Sequence, residues 1–384
     1  MKIVDIRVHI VRLPTRREHN WASKMQSPIG HHALVEVVTD EGITGWGEAP
    51  AGATWGGAHM RYYGETPGTV RHIVLDYLAL ALNASDPANV VRVHQLMDKA
   101  VKGHPYAKAA VDMACYDAAG KALGVPVSTL LGGRLRPGVE LAHSVGIMEL
   151  DRCYAEAEQA VSEGARTIKC KTGLDPERDV TIVRELRQRL GDAVRIRVDA
   201  NEGYRSVQEA VDVTRKQEEF GLLLCEQPVA GAVALARVAE RVTSPVMADE
   251  SAWTSHDIIE LYQLDAAACF SCYVTKPGGL FRARQQAELA DQLGLYCDIG
   301  GSIETGVGNA ANLALGSCLP NVTLPSVCPV SKPAGAPGPE IAGVYYSDDL
   351  ITEPFRFTGG MVMAPDGPGL GVEVDSEKLK RYSE

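Results

Sequence analysis

Thr167-Ile168-Lys169-Cys170-Lys171-Thr172-Gly173 lies between two helical patterns and reads as the end of a buried strand. Successive strand side chains point to opposite faces, so Lys169 and Lys171 share one face while Ile168 and Cys170 share the other. Two ammonium groups side by side repel. That favours release of a proton from one of them, which makes it a usable general base near neutral pH. A solvated edge strand with both lysines outward is the competing reading of this stretch taken alone.

The surrounding chain decides between them. From Val139 onward, short apolar strands alternate with amphipathic helical patterns, the signature of βα units and a parallel sheet. Strands are expected near 139–146, 166–171, 195–200, 222–226, 245–249, 268–276, 295–299 and 322–327. No dinucleotide fingerprint accompanies them, which favours a closed barrel over an open doubly wound sheet. Ahead of the barrel, residues 2–13 and 33–48 read as strands, with Asp40-Glu41-Gly42 as a hairpin turn. Helices are expected from about Thr69 to Leu82, Pro87 to Lys102 and Ala107 to Leu123. Residues 1–130 are thus expected to form an α+β capping domain and 131–350 the catalytic barrel. Residues 351–384 are expected to return to the cap, because hairpin segments without a sheet would be marginal. The glycine- and proline-rich stretch 331–339 reads as an ordered flap or a linker.

Composition narrows the function classes. The chain has 384 residues, 45% of them hydrophobic, enough for a substantial core. A formal net charge of −11 with no basic run argues against nucleic acid. No apolar stretch approaches the roughly 20 residues of a membrane span, and the N-terminus alternates like a strand rather than a signal peptide. The nine cysteines are odd in number and lack CxxC spacing, which argues against a disulfide framework or zinc site and for a reducing cytoplasm.

Barrel active sites lie at the C-terminal ends of the strands, and those ends are charged here. Strand two ends in Lys169 and Lys171, strand three in Asp199-Ala200-Asn201, strand four in Glu226-Gln227-Pro228, strand five in Asp249-Glu250 and strand six in Lys276. Any one acid could be a helix N-cap, but that role does not account for the ordered set. Three carboxylates converging above a barrel need a cation. Oxygen ligands with room for water and substrate suit Mg²⁺, with Mn²⁺ as a substitute.

This set resembles the enolase superfamily, and the Lys-x-Lys form with a sixth-strand lysine resembles its muconate-lactonizing subgroup. The resemblance covers nearly the whole chain, including Gly300-Gly301-Ser302-Ile303-Glu304-Thr305-Gly306 and Pro368-Gly369-Leu370-Gly371. It implies an α/β fold, a modified TIM-type (β/α)7β barrel under its cap, and commonly a homo-oligomer. It implies Asp199, Glu226 and Asp249 as Mg²⁺ ligands and Lys171 as acid/base. Lys169 beside it would ease loss of its proton and touch the substrate carboxylate, with Lys276 on the opposite face. A mandelate-racemase-like site would need a histidine near strand seven, and the last histidine here is His256.

The resemblance further implies proton transfer α to a carboxylate of a small acid through an enediolate, stabilised by the metal. Three outcomes branch from it: cycloisomerisation to a lactone, racemisation or epimerisation of an N-acylamino acid or related compound, and elimination. The first is favoured. A barrel that binds small acids without turnover is the distant alternative. Specificity is expected in the cap loops and at the ends of strands seven and eight. Candidate substrate contacts are Trp21 and Lys24 (with Met25 and Gln26 beside them), Trp55, Asn201, Glu250 and Glu304, and Arg16, Arg17, His19 and Lys24 are candidates to meet a second carboxylate. Strand eight, Leu324-Pro325-Ser326-Val327-Cys328-Pro329, lacks the glutamate that lactonizing relatives often place there and the paired aspartates of dipeptide epimerases.

Overall fold

The computed structural model describes residues 1–22, 29–50, 52–57, 62–301 and 303–384. Three antiparallel strands open the chain: β1 (Ile3–Arg12), β2 (His31–Thr39) and β3 (Thr44–Pro50). They pack on a helix, Pro105–Leu123, that is buried along most of its length and stopped by Gly124 at φ +68°. The approach is close. A Cβ at Gly45 or Gly47 would stand 2.0 Å from the carbonyl oxygen of Ala114 or Ala110, so only glycine lets β3 lie on this helix. A helical run over 67–82, with a π-helical turn at Val74–Leu78, and the helix Val90–Ala100 complete this layer.

The stretch expected as one strand at 139–146 is two. Short β4 (Gly138–Glu140) joins a small sheet with β12 (Phe357–Thr358) and β13 (Met361–Met363), and β5 (Ala142–Val145) begins the barrel. From β5 a curled parallel sheet runs through β6 (Thr167–Lys171), β7 (Arg195–Asp199), β8 (Leu222–Glu226), β9 (Val246–Ala248), β10 (Cys269–Cys272) and β11 (Tyr296–Ile299), with consecutive strands as neighbours. Strand β10 ends at Cys272, so Lys276 belongs to the following turn rather than to a strand end.

The eighth strand expected at 322–327 is not a regular strand. The segment makes isolated bridges, Val322 to Cys297 and Ser326 to Leu141, and closes the ring with a few bonds such as Val327 N to Ile299 O (2.9 Å) and Ala142 N to Ser326 O (2.8 Å). Pro325 has no N–H to donate in the middle of this segment, which keeps a ladder from forming. The 331–339 stretch is tied down: Lys332 pairs with Glu340, and Ala334 N donates to Asp348 Oδ1. The C-terminal segment wraps both parts of the molecule, with β13 on β4 and Glu384 N bonded to Ile10 O of β1. Among the described residues no helix is long and apolar enough to cross a membrane.

Candidate active site

Parallel pairing puts Lys171 level with Asp199, and Asp199 level with Glu226. Asp249 follows β9, and the three buried carboxylates bring oxygens within 4.8 Å of one another. The Glu-Gln-Pro motif explains the Asp249 position. Gln227, at φ +36°, accepts from Asp249 N (2.8 Å) and Ser251 N through Oε1 and donates from Nε2 to Val229 O and Ser251 Oγ. Neighbouring strand ends are thereby locked together.

Cations surround this cluster. Lys169 Nζ lies 2.8 Å from Glu226 Oε1 and 2.9 Å from Asp199 Oδ2. Lys171 Nζ donates to the same Asp199 Oδ2 (2.6 Å) and to Asn201 Oδ1 (2.9 Å). The repulsion expected between the two lysines is therefore absorbed by the carboxylate they share. Burial alone would push Lys169 toward neutrality, but Asp199 and Glu226 hold its pKa above the ordinary lysine value. Burial would likewise raise Asp199, and the two lysines hold it below its ordinary value.

Lys276 is fully buried and donates to Asp249 Oδ1 (2.7 Å), Asp249 O (2.9 Å) and Ser271 O (2.9 Å). An ammonium has three N–H groups, and all three are committed. Arg197, also buried, donates from Nη2 to Glu226 Oε2 (2.6 Å) and from Nη1 to Asp298 Oδ2 (2.8 Å).

Above the cluster is a pocket with Lys169, Lys171, Asp249 and Asn201 on its polar side. Its other walls are mainly aromatic and aliphatic: Trp21 and Trp55 from the cap loops, Tyr106, Tyr273, Tyr345, Ile303 and Val327. The Trp21 ring centroid is 5.7 Å from Lys171 Nζ, and Trp55 packs on Tyr273 at 5.9 Å. His19 also lines the pocket, in edge contact with Tyr345.

Several expected contacts lie elsewhere. Arg16 and Arg17 do not face the pocket; both bond Glu156 on the helix Leu150–Ser162 and so pin the cap loop to the barrel. Glu304 is buried behind Gly301 and is not part of the pocket wall. Glu250 accepts from Asn201 Nδ2 (2.9 Å) and lines a neighbouring cavity with Tyr62 and Arg237. Lys24, Met25 and Gln26 fall outside the described residues. Tyr106, Ser144, Tyr273, Ile303, Val327 and Tyr345 were not among the sequence candidates for this pocket. Ile303 and Val327 do lie in the stretches at the ends of strands seven and eight where specificity was expected, but no local motif marks Tyr106, Ser144, Tyr273 or Tyr345, which only the folded register brings there.

Residues 7–132 match the mandelate racemase / muconate lactonizing enzyme N-terminal domain, and residues 152–378 match the enolase C-terminal domain-like family. A muconate cycloisomerase 1 of Rhodococcus opacus is 33% identical over 392 residues, covering 100% of this chain and 99% of that one. The structure of 2-chloromuconate cycloisomerase from Rhodococcus opacus 1CP superposes with a TM-score of 0.89 at 30% identity, covering all of both chains. That of N-succinyl Arg/Lys racemase from Bacillus cereus ATCC 14579 superposes with a TM-score of 0.89 at 27% identity, covering 100% of this chain and 98% of the other.

Proposed function

We propose, for a chain that belongs to the enolase superfamily and its muconate-lactonizing branch, that it is a metal-dependent cycloisomerase of a muconate-type dicarboxylate. Three buried carboxylates within 4.8 Å form an all-oxygen donor set that fits a hard divalent cation. Asp199, Glu226 and Asp249 would hold Mg²⁺, with Mn²⁺ able to replace it. When bound, the cation would offset the negative charge that develops on the substrate carboxylate.

In lactonisation the distal carboxylate oxygen adds to an alkene carbon, forming the C–O bond. The alkene electron pair moves toward the proximal carboxylate as an enediolate. Lys171 then delivers a proton to the α-carbon, and the lysine is left neutral until it is reprotonated. Lys169 supplies a fixed positive charge beside the enediolate, as does Lys276 from the other flank. The aromatic walls exclude water from the face where the proton is delivered.

The observation that carries this reading is the unequal state of the two flanking lysines. Lys171 bonds two acceptors and keeps one N–H for the pocket, whereas Lys276 has all three N–H groups taken. One proton carrier suffices for lactonisation, while racemisation needs a carrier on each face. N-acylamino-acid racemisation is the second reading, favoured by the likeness to the N-succinyl Arg/Lys racemase. Nine free thiols fit a reducing cytoplasm. Exposed Tyr77, Leu80 and Val91 on the cap helices offer an apolar face for a homo-oligomer.

The test is incubation of the Mg²⁺-loaded protein with muconate in D₂O, following loss of diene absorbance and deuterium in the product by NMR. Lactone carrying one deuterium at the α-carbon is the expected result. Racemisation of N-succinylamino acids without lactone formation would overturn the reading.

A further inference from the structure

Ile303 is a β-branched residue at φ +63°, in the left-handed region that such side chains rarely adopt, and it lines the pocket. Something must hold it there. Its carbonyl accepts from the hydroxyl of Tyr346 at 2.6 Å, and that hydroxyl lies 2.8 Å from Nε2 of His32 on β2 of the cap. The rings of His32 and Tyr346 meet edge to face, and both residues are buried.

The proton count fixes the direction of this relay. A tyrosine hydroxyl has one hydrogen, and it goes to Ile303 O. His32 must then donate from Nε2 to the tyrosine oxygen, as a neutral ring protonated on that nitrogen. Burial holds the His32 pKa down at about 3, in keeping with a neutral ring. On the other side of Ile303, Thr305 is anchored by Glu48 of β3, through Thr305 N to Oε1 (2.9 Å) and Thr305 Oγ1 to Oε2 (2.6 Å).

Tyr346 is well placed for this work. Its segment bridges the cap loop, with Arg16 N bonded to Tyr345 O and Ser347 N to Pro14 O. In this extended stretch Tyr345 turns into the pocket while Tyr346 reaches His32 and Ile303.

We infer that Tyr346 and His32 are positioning residues that press Ile303 against the pocket, so that the cap sheet and the post-barrel segment jointly set how large a substrate fits. The inference rests on the proposed function for its substrates. Ile303 limits the pocket, and Tyr346 and His32 act through it.

The experiment compares wild type with Ile303→Ala, Ile303→Gly, Tyr346→Phe and Tyr346→Phe/Ile303→Gly. Each is assayed for kcat and KM with muconate, chloromuconate and N-succinylamino acids, and by thermal denaturation. Trimming Ile303 should shift the preference in kcat/KM toward the bulkier carboxylate by about tenfold, chiefly through KM. Glycine, which accepts a positive φ, should be at least as heat-stable as alanine at this position. Tyr346→Phe should shift preference in the same direction, and should do so less in the Ile303→Gly background, where no strained residue is left to hold. Preference unchanged in the Ile303 variants, or an equal Tyr346→Phe effect in both backgrounds, would overturn the inference while leaving the proposed function standing. A wild type that turns over none of these acids would overturn both.

Discussion

Lys276 grips a single residue twice: its ammonium lies 2.7 Å from the Asp249 carboxylate and 2.9 Å from the Asp249 backbone oxygen. A group so engaged serves as a fixed charge. Lys171→Ala is expected to lower kcat by about 10²–10⁴-fold and to abolish deuterium incorporation at the α-carbon. Lys276→Ala should cost about 10²–10³-fold while the residual product still carries deuterium on one face. Equal, mirror-image exchange of opposite enantiomers by the two variants would instead mark a two-base racemase.

Glu226 is held by Lys169 on one oxygen and Arg197 on the other, so its substitution reaches into the barrel interior. Glu226→Gln keeps the shape but leaves two buried cations short of one negative charge. Loss of most activity is expected, together with at least about tenfold weaker Mn²⁺ binding by EPR titration. A lower melting temperature should accompany it, because one partner of a buried ionic network is gone.

The cap loop carrying His19 and Trp21 is pinned where Arg17 Nε meets Glu156 Oε2 at 2.6 Å. Glu156→Gln should therefore act on binding more than on chemistry, raising KM several-fold with little change in kcat. Steady-state kinetics beside a circular dichroism control would check it, and a fall in kcat alone would contradict it.

Glu48 gives the pH prediction. Burial, with Glu304 adding to it, raises its pKa to about 8 in the folded protein against the bonds from Thr305, while the unfolded chain keeps the ordinary value of 4.5. Between these values the folded state holds a proton that the unfolded state has lost. Its contribution to stability is thus complete below pH 4.5 and is lost as pH rises through 8, with a slope of at most about 1.4 kcal/mol per pH unit. Urea unfolding from pH 5 to 9 should show this decline, and Glu48→Gln should make it shallower, with the buried Asp179, Glu202 and Asp349, whose pKa values burial also raises, sustaining the remainder.

The strand-end acids and lysines were legible because each sits at the end of a local apolar run, and βα periodicity alone puts those ends on one rim. Arg197 was read as part of a strand body. In a closed barrel both faces of a strand are buried, so alternation does not say which charges point inward. The Tyr346–His32 contact joins residues 314 positions apart, and no short-range pattern encodes such a pair. Lys276 was placed at the end of a strand expected at 268–276, but the strand stops at Cys272 and a turn carries the lysine. Pro325 was a visible warning that the eighth strand would not form a ladder.

That interrupted segment has a mechanical consequence. Between β11 and β5 the ring is closed through an irregular segment by a handful of bonds, where the seven regular strands pair directly with one another. Arg197 reaches this join, because its Nη1 also donates to the carbonyl of Pro325 (2.9 Å) while Nη2 holds Glu226. A guanidinium spanning both makes the tightness of the seam and the aim of the Glu226 carboxylate one property. Sequence drift at 321–326 would accordingly tune the chemistry from beneath, without altering the residues that line the pocket.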